Sequence, residues 1–215
     1  MLFKKGELKL LWPFYLYFLV YGLSTMVLPF FIIYFRDLNF SFFQIALLTS
    51  AFGISNFLFE IPTGAFADGY SRKYSVVIGF FITALAVILI PLTQNFILLL
   101  TLWALCGIGI SFVSGAEEAW VIDNLNNFKR NDLHSEYFIK SQSIAAFGMI
   151  FAPFVGALLV KYFSINILWF VFGTGFLLNA FILMIFAKEH YRPQKLKLIS
   201  MLKQTYFNMR IPLVY

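Results

Sequence analysis

Carboxylates set inside apolar runs are the groups in this sequence that could do chemistry, and the chemistry open to them is binding and release of a proton or cation. Three stand out: Glu60 in FEIPTG, and the adjacent Glu117 and Glu118 in SGAEEAW. A charged side chain at bilayer depth costs roughly 2.5–3.5 kcal/mol on insertion scales, so such groups are few and face a cavity or a partner. Glu60 shares a helical face with Thr49, Gly53 and Asn56, which draws a polar stripe along one helix. Counted from Asp37, Glu60 falls about 35 Å along that helix, at the inner edge of a hydrocarbon core about 30 Å thick, so snorkelling to water is open to it as well. Glu117 and Glu118 project about 100° apart, so at most one faces a shared pathway and the other is structural or interfacial. Tyr17, Tyr21 and Ser24 or Thr25 share a face beside Pro29. With Asn56 and Gln142 they are candidate walls of a cavity for a small amphipathic substrate, held by stacking and hydrogen bonding.

Other chemistries find no residues. His134 and His190 have no second ligand at a metal spacing, and Cys106 is the one cysteine, so no metal site or disulfide is expected. There is no nucleophile paired with a base, no phosphate-cradling glycine loop and no Walker lysine, which speaks against an enzyme, a cofactor or ATP drive.

The elements that must position these carboxylates are membrane spans. The chain is 61% hydrophobic and 12% charged with mean hydropathy +0.83, where soluble domains carry about a quarter charged residues. The net charge of +6 does not form one patch, so a nucleic-acid partner is not indicated. Uncharged runs of about 20 residues divide into six expected spans, near 10–35, 41–62, 74–92, 96–119, 139–160 and 165–187, with a tight turn at PLTQN (Pro91–Asn95) between the third and fourth. An inside N-terminus leaves only Arg36 and Lys161 of the 16 Lys and Arg residues outside. The positive-inside rule therefore predicts both termini in the cytoplasm. Residues 1–187 form the expected six-helix bundle. Residues 188–215 read as a basic segment on the inner surface of the plasma membrane, amphipathic through Leu196, Ile199, Leu202 and Tyr206.

Between the second and third spans lies PTGAFADGYSRK, Pro62 to Lys73, which reads as a short polar loop. It resembles the major facilitator superfamily signature G-x-L-A-D-R-x-G-R-K at the same place. Gly64, Ala67, Asp68, Arg72 and Lys73 match, while Phe66 replaces Leu, Gly69 replaces Arg and Ser71 replaces Gly. The fifth span holds Gly148, Ala152, Pro153, Gly156 and Ala157, similar to the G-x-x-x-G-P-x-x-G-G element of drug/proton antiporter branches, with alanine at two glycine positions. Where those antiporters carry the arginine of R-x-x-x-G in the fourth span, this chain has Trp103, four residues before Gly107.

The resemblance implies an all-α integral membrane fold of six transmembrane helices, the N-terminal half of such a transporter, built from two three-helix repeats. It implies that Asp68 docks on a helix of the C-terminal half and that Arg72 pairs with an acid ending the fourth span, where Asp123 fits, so that Gly64, Asp68, Arg72, Lys73 and Asp123 act as a conformational lock. The departures at Gly69 and Ser71 suggest a weaker lock. It further implies proton-coupled export, partnered by protons, a small molecule, the lipid bilayer and either a missing C-terminal half or a second copy of the chain. An uptake symporter, or a six-helix unit that serves only as an assembly partner, is the alternative.

Overall fold

Six helical segments are each long and apolar enough to cross a membrane: Glu7–Asp37, Phe42–Gly69, Arg72–Leu92, Phe96–Asn127, Asn131–Tyr162 and Asn166–Phe186. They come from a computed structural model that describes residues 3–190, and among the described residues there is no β-strand. The expected amphipathic tail, with Leu196, Ile199, Leu202 and Tyr206, lies outside the described residues.

Span one is α1 (Glu7–Ser24), a 3-10 turn (Thr25–Phe30) around Pro29, and α2 (Phe31–Asp37). Proline has no N–H to give, and the tighter turn accommodates it without ending the span. Span two is α3 (Phe42–Gly69), opened by a capping box in which the Ser41 hydroxyl accepts from the Gln44 nitrogen at 3.2 Å and the Gln44 side chain accepts from the Ser41 nitrogen at 2.9 Å. Span three is α4 (Arg72–Leu89) with a short 3-10 turn at Ile90–Leu92. Asn95 then caps α5 (Phe96–Val113) by accepting from the Ile97 and Leu98 nitrogens at 3.0 and 3.1 Å, so the PLTQN break divides two spans. Span four continues as α6 (Ala116–Asn127). Span five is α7 (His134–Tyr162), continuous through Pro153, and span six is α8 (Asn166–Phe186).

Two expectations are corrected. The stretch from Pro62 to Lys73 is not a loop: α3 runs to Gly69 and α4 begins at Arg72, leaving only Tyr70 and Ser71 between them. Proline and glycine punctuate a sequence, but a helix with its other backbone bonds intact absorbs a single proline. Spans two, four and five also run past the expected limits, because a helix that has crossed about 30 Å of hydrocarbon has no reason to stop until its capping residues arrive.

The main packing partners are α3 with α5, α5 with α4, α4 with α8, α8 with α1, and α1 with α7. In spans, this reads two, four, three, six, one, five. Exchanging span one for four, two for five and three for six returns the same series read from its other end, the internal relationship expected of two three-helix repeats. The ends of the series, spans two and five, are the least enclosed. Their most apolar stretches are 17% and 22% buried, against 56% for span three. Close approaches join the repeats: a Cβ on Gly22 of α1 would lie 2.3 Å from the Ala145 carbonyl oxygen of α7, and one on Gly148 would lie 2.7 Å from the Leu23 nitrogen. Small residues here let the two backbones touch.

Both described chain ends lie at one end of the bundle, with Lys4, Lys73, Arg130 and Lys140. There the fully buried Glu7 accepts from Lys140 Nζ at 2.7 and 2.8 Å, from the Tyr15 hydroxyl at 2.8 Å and from the Lys4 nitrogen at 2.7 Å. These donors satisfy a buried carboxylate and fasten the start of α1 to α7.

Candidate functional site

Two polar networks form at the basic end and inside it. The first is built on the junction of α3 and α4. Asp68 stands in the last turn of α3, where its charge meets the negative end of its own helix, and Arg72 opens α4, where its charge meets a positive end. Each is badly placed alone, and together they compensate. Arg72 Nη2 lies 3.2 Å from Asp68 Oδ1, and Nε lies 3.3 Å from it. The same guanidinium donates to the Ala119 carbonyl at 2.7 Å and makes a short hydrogen bond to Asp123 of α6. The structure thus brings Asp68, Arg72 and Asp123 into one chain of charges that ties span three to span four. Asp68 is the outer member, its side chain half exposed, while the Arg72 side chain is 13% exposed.

Lys73 turns the other way. Its ammonium donates to the carbonyls of Met184 and Ala187 at 2.8 and 2.7 Å, closing the C-terminal end of α8. Glu189, just beyond α8, returns to the start of α4. One oxygen accepts from the Arg72 nitrogen at 2.7 Å and the Lys73 nitrogen at 3.3 Å, and the other accepts from the Ser71 hydroxyl. Ser71 is the N-cap of α4, its oxygen accepting from the Tyr74 nitrogen at 3.1 Å. Serine where the family pattern has glycine therefore does a specific job: it caps the helix and donates to the carboxylate of Glu189. Gly64 behaves differently, since a Cβ there meets nothing within 4 Å.

The second network surrounds Glu117. Ser114 is extended and Gly115 has φ +70°, so span four breaks between α5 and α6. Glycine takes that backbone conformation at no steric cost. Glu117 and Glu118 fall in the first turn of α6, where helix polarity favours acids. They separate as their angular spacing requires: Glu117 is 6% exposed and Glu118 is exposed. The hydroxyl of the buried Tyr137 from α7 donates to Glu117 in a short hydrogen bond. Tyr17 of α1 is also buried, its ring against Phe18 and Phe80. Around them, Phe14 of α1 packs edge-on against Trp120 of α6, ring centroids 5.0 Å apart, and faces Tyr137 at 6.3 Å. Glu117 thus sits where spans one, four and five converge.

The remaining candidates divide between inside and outside. Ser24 and Thr25 are buried and donate to carbonyls of their own span, Val20 at 2.6 Å and Gly22 at 2.7 Å, while Tyr21 is half-buried against Phe176. Glu60, Thr49 and Gly53 lie on the exposed side of α3, and Gln142 is exposed on α7. Asn56 is half-buried, and its side-chain oxygen has no hydrogen-bond partner. Gly148, Ala152 and Gly156 are buried, with Gly148 against Gly22 and Leu23 of span one and Gly156 nearest Met26.

Sequence reasoning missed Ser71 as a cap, Tyr137, Glu189 and Asn179. Asn179 is fully buried in α8 with neither amide atom hydrogen-bonded. A lone amide in an apolar span is a visible signal, since polar groups at that depth are kept for a reason. Glu189 carries none.

Comparison with known proteins adds the family. A sequence model described as Major Facilitator Superfamily matches residues 14–208. An uncharacterized MFS-type transporter, YxaM of Bacillus subtilis (strain 168), is 33% identical over 96 residues. That alignment takes in 43% of this chain and 23% of YxaM, so the chain covers under a quarter of that relative's length.

Proposed function

This chain belongs to the major facilitator superfamily, and from that premise we propose that it is the N-terminal six-helix half of a proton-coupled exporter of small amphipathic compounds. The observation that carries the coupling is Glu117, a buried carboxyl at the break in span four, held by a hydroxyl from span five. An unpaired carboxylate in a dry site costs free energy, so its charge can persist there only with a donor, a cation or water beside it. When Glu117 is ionised it accepts from Tyr137; when protonated it can donate instead. That exchange changes what holds α6 to α7, and so links proton occupancy to how spans four and five sit against each other.

In this reading the substrate enters beside Tyr17 and Tyr21, and Asn56 and Gln142 extend the path on α3 and α7. The chain Asp68–Arg72–Asp123 with Gly64 and Lys73 is the lock that closes the basic end, which faces the cytoplasm across the plasma membrane. The thinly covered sides of spans two and five meet the other six-helix half or a second copy. Glu60, on that open side of α3, is a second candidate acid. Residues 1–187 are the bundle, and residues 188–215 begin the connection between the two halves.

The test is transport in proteoliposomes with an imposed pH gradient, using a fluorescent amphipathic cation. Glu117→Gln is expected to abolish gradient-driven movement while the protein remains folded by circular dichroism. Unchanged movement in that variant removes Glu117 from coupling, and loss in Glu60→Gln alone transfers the role to Glu60.

A further inference from the structure

At the basic end a cleft of about 570 Å³ opens between the start of α1, the end of α6 and the segment leaving α8. Its polar wall carries Lys9, Arg130, Lys188 and His190, its apolar wall includes Trp12 and Phe186, and no carboxylate lines it. Arg130 is already neutralised, donating to both oxygens of Asp132 at 2.8 and 2.9 Å. Lys9 and Lys188 are exposed, and neither has a carboxylate partner among the described residues. Two like charges sharing one cleft without an acid favour an anion between them.

The backbone beneath Lys188 is fixed. Its carbonyl accepts from Trp120 Nε1 at 3.2 Å and from Asn124 Nδ2 at 2.8 Å, and the next residue but one, His190, donates its nitrogen to Asn124 Oδ1 at 2.9 Å. The charge is therefore presented from a held position. Beside it, Trp12 and Phe186 pack with ring centroids 5.1 Å apart and stay 40% and 50% exposed. They belong to the ends of the first and last spans, the level at which tryptophan sits between headgroups and acyl chains.

We propose that this cleft binds the headgroup of an anionic phospholipid from the adjacent leaflet, its phosphate facing Lys9 and Lys188 and its first acyl carbons lying along Trp12 and Phe186. A soluble phosphate would use the lysines but not the exposed aromatic wall, which is why the lipid is preferred; basic pockets at helix ends are a known form of headgroup site. Such a lipid bridges the start of span one and the segment after span six.

The test uses the full chain in nanodiscs containing brominated phosphatidylglycerol or brominated phosphatidylcholine at equal mole fraction. Trp12 emission is obtained by difference from Trp12→Phe. Brominated phosphatidylglycerol is expected to quench Trp12 at least threefold more than brominated phosphatidylcholine. The double variant Lys9→Gln/Lys188→Gln is expected to erase the difference, and Lys161→Gln at the other end of the bundle to keep it. Equal quenching by the two lipids, or a difference that survives the double variant, overturns the site. Loss of the difference on adding millimolar inorganic phosphate at constant ionic strength would assign the cleft to soluble phosphate and overturn the lipid.

Discussion

Glu189 places one carboxylate oxygen 2.7 Å from the backbone nitrogen of Arg72, so an acid beyond the end of span six completes the helix that opens span three. The contact is reciprocated by Lys73, which closes α8 through Met184 and Ala187. Two helix ends with opposite partial charges are thereby satisfied by a pair of side chains that cross between them.

Removing the acid should expose that dependence. Glu189→Ala is expected to lower stability by about 1 kcal/mol, the usual worth of an N-terminal cap with charge, and Glu189→Gln by less, because an amide oxygen still accepts. Thermal unfolding in detergent, followed by tryptophan emission, reads the difference. Identical midpoints for wild type and Glu189→Ala would show that the contact holds nothing.

The three charges around Arg72 should separate into structural and conformational roles. Asp123 is the more enclosed, and Asp123→Ala leaves a guanidinium that is 13% exposed short of a partner, a loss of roughly 1–3 kcal/mol. Asp68 is half exposed, and Asp68→Asn is expected to change stability by less than about 0.5 kcal/mol while slowing transport severalfold. Parallel melting and flux measurements test the split, and a large stability loss from Asp68→Asn contradicts it.

Glycines in two environments should respond with opposite signs. Gly22→Val drives a side chain into the Ala145 carbonyl and is expected to cost about 3 kcal/mol or more, with loss of folded protein on size exclusion. Gly53 has nothing within 4 Å of a built Cβ, so Gly53→Ala is expected to stabilise this bundle by about 0.5–1 kcal/mol through helix propensity. A destabilised Gly53→Ala, or a folded Gly22→Val with the wild-type midpoint, would contradict the assignment.

Tyr137→Phe removes the hydroxyl that holds Glu117 and keeps the ring packed between Phe14 and Phe18. On the proposed coupling, gradient-driven flux is expected to fall by about tenfold or more, and the orphaned buried acceptor is expected to lower stability by roughly 1–3 kcal/mol. Wild-type flux in that variant would separate Tyr137 from the coupling step.

The spans are legible in the sequence because crossing a membrane demands long apolar runs, and Pro91–Asn95 is legible as a break because the run there is too long for one helix. Pro62–Lys73 misleads for a local reason: proline, glycine and charges together look like a loop, and only the intact ladder of α3 shows otherwise. Glu117 and Glu118 can be set about 100° apart by helix geometry, but which of the two is buried depends on α1 and α7, which no local pattern encodes. Glu189 depends on a pairing 117 residues away in the chain. Its neighbours in sequence are ordinary basic and aromatic residues, so nothing nearby marks it.

The order in which the spans pack, two, four, three, six, one, five, bears on how the chain is made. Span one finds its main partners, α7 and α8, only after more than a hundred further residues have left the ribosome. At about 5–20 residues per second that is a wait of roughly ten seconds in which α1, with Glu7 and its uncovered tyrosines, sits in the bilayer without its neighbours. Span two waits only for α5, so span one, inserted before it, is enclosed after it, and insertion factors have the longer claim on span one.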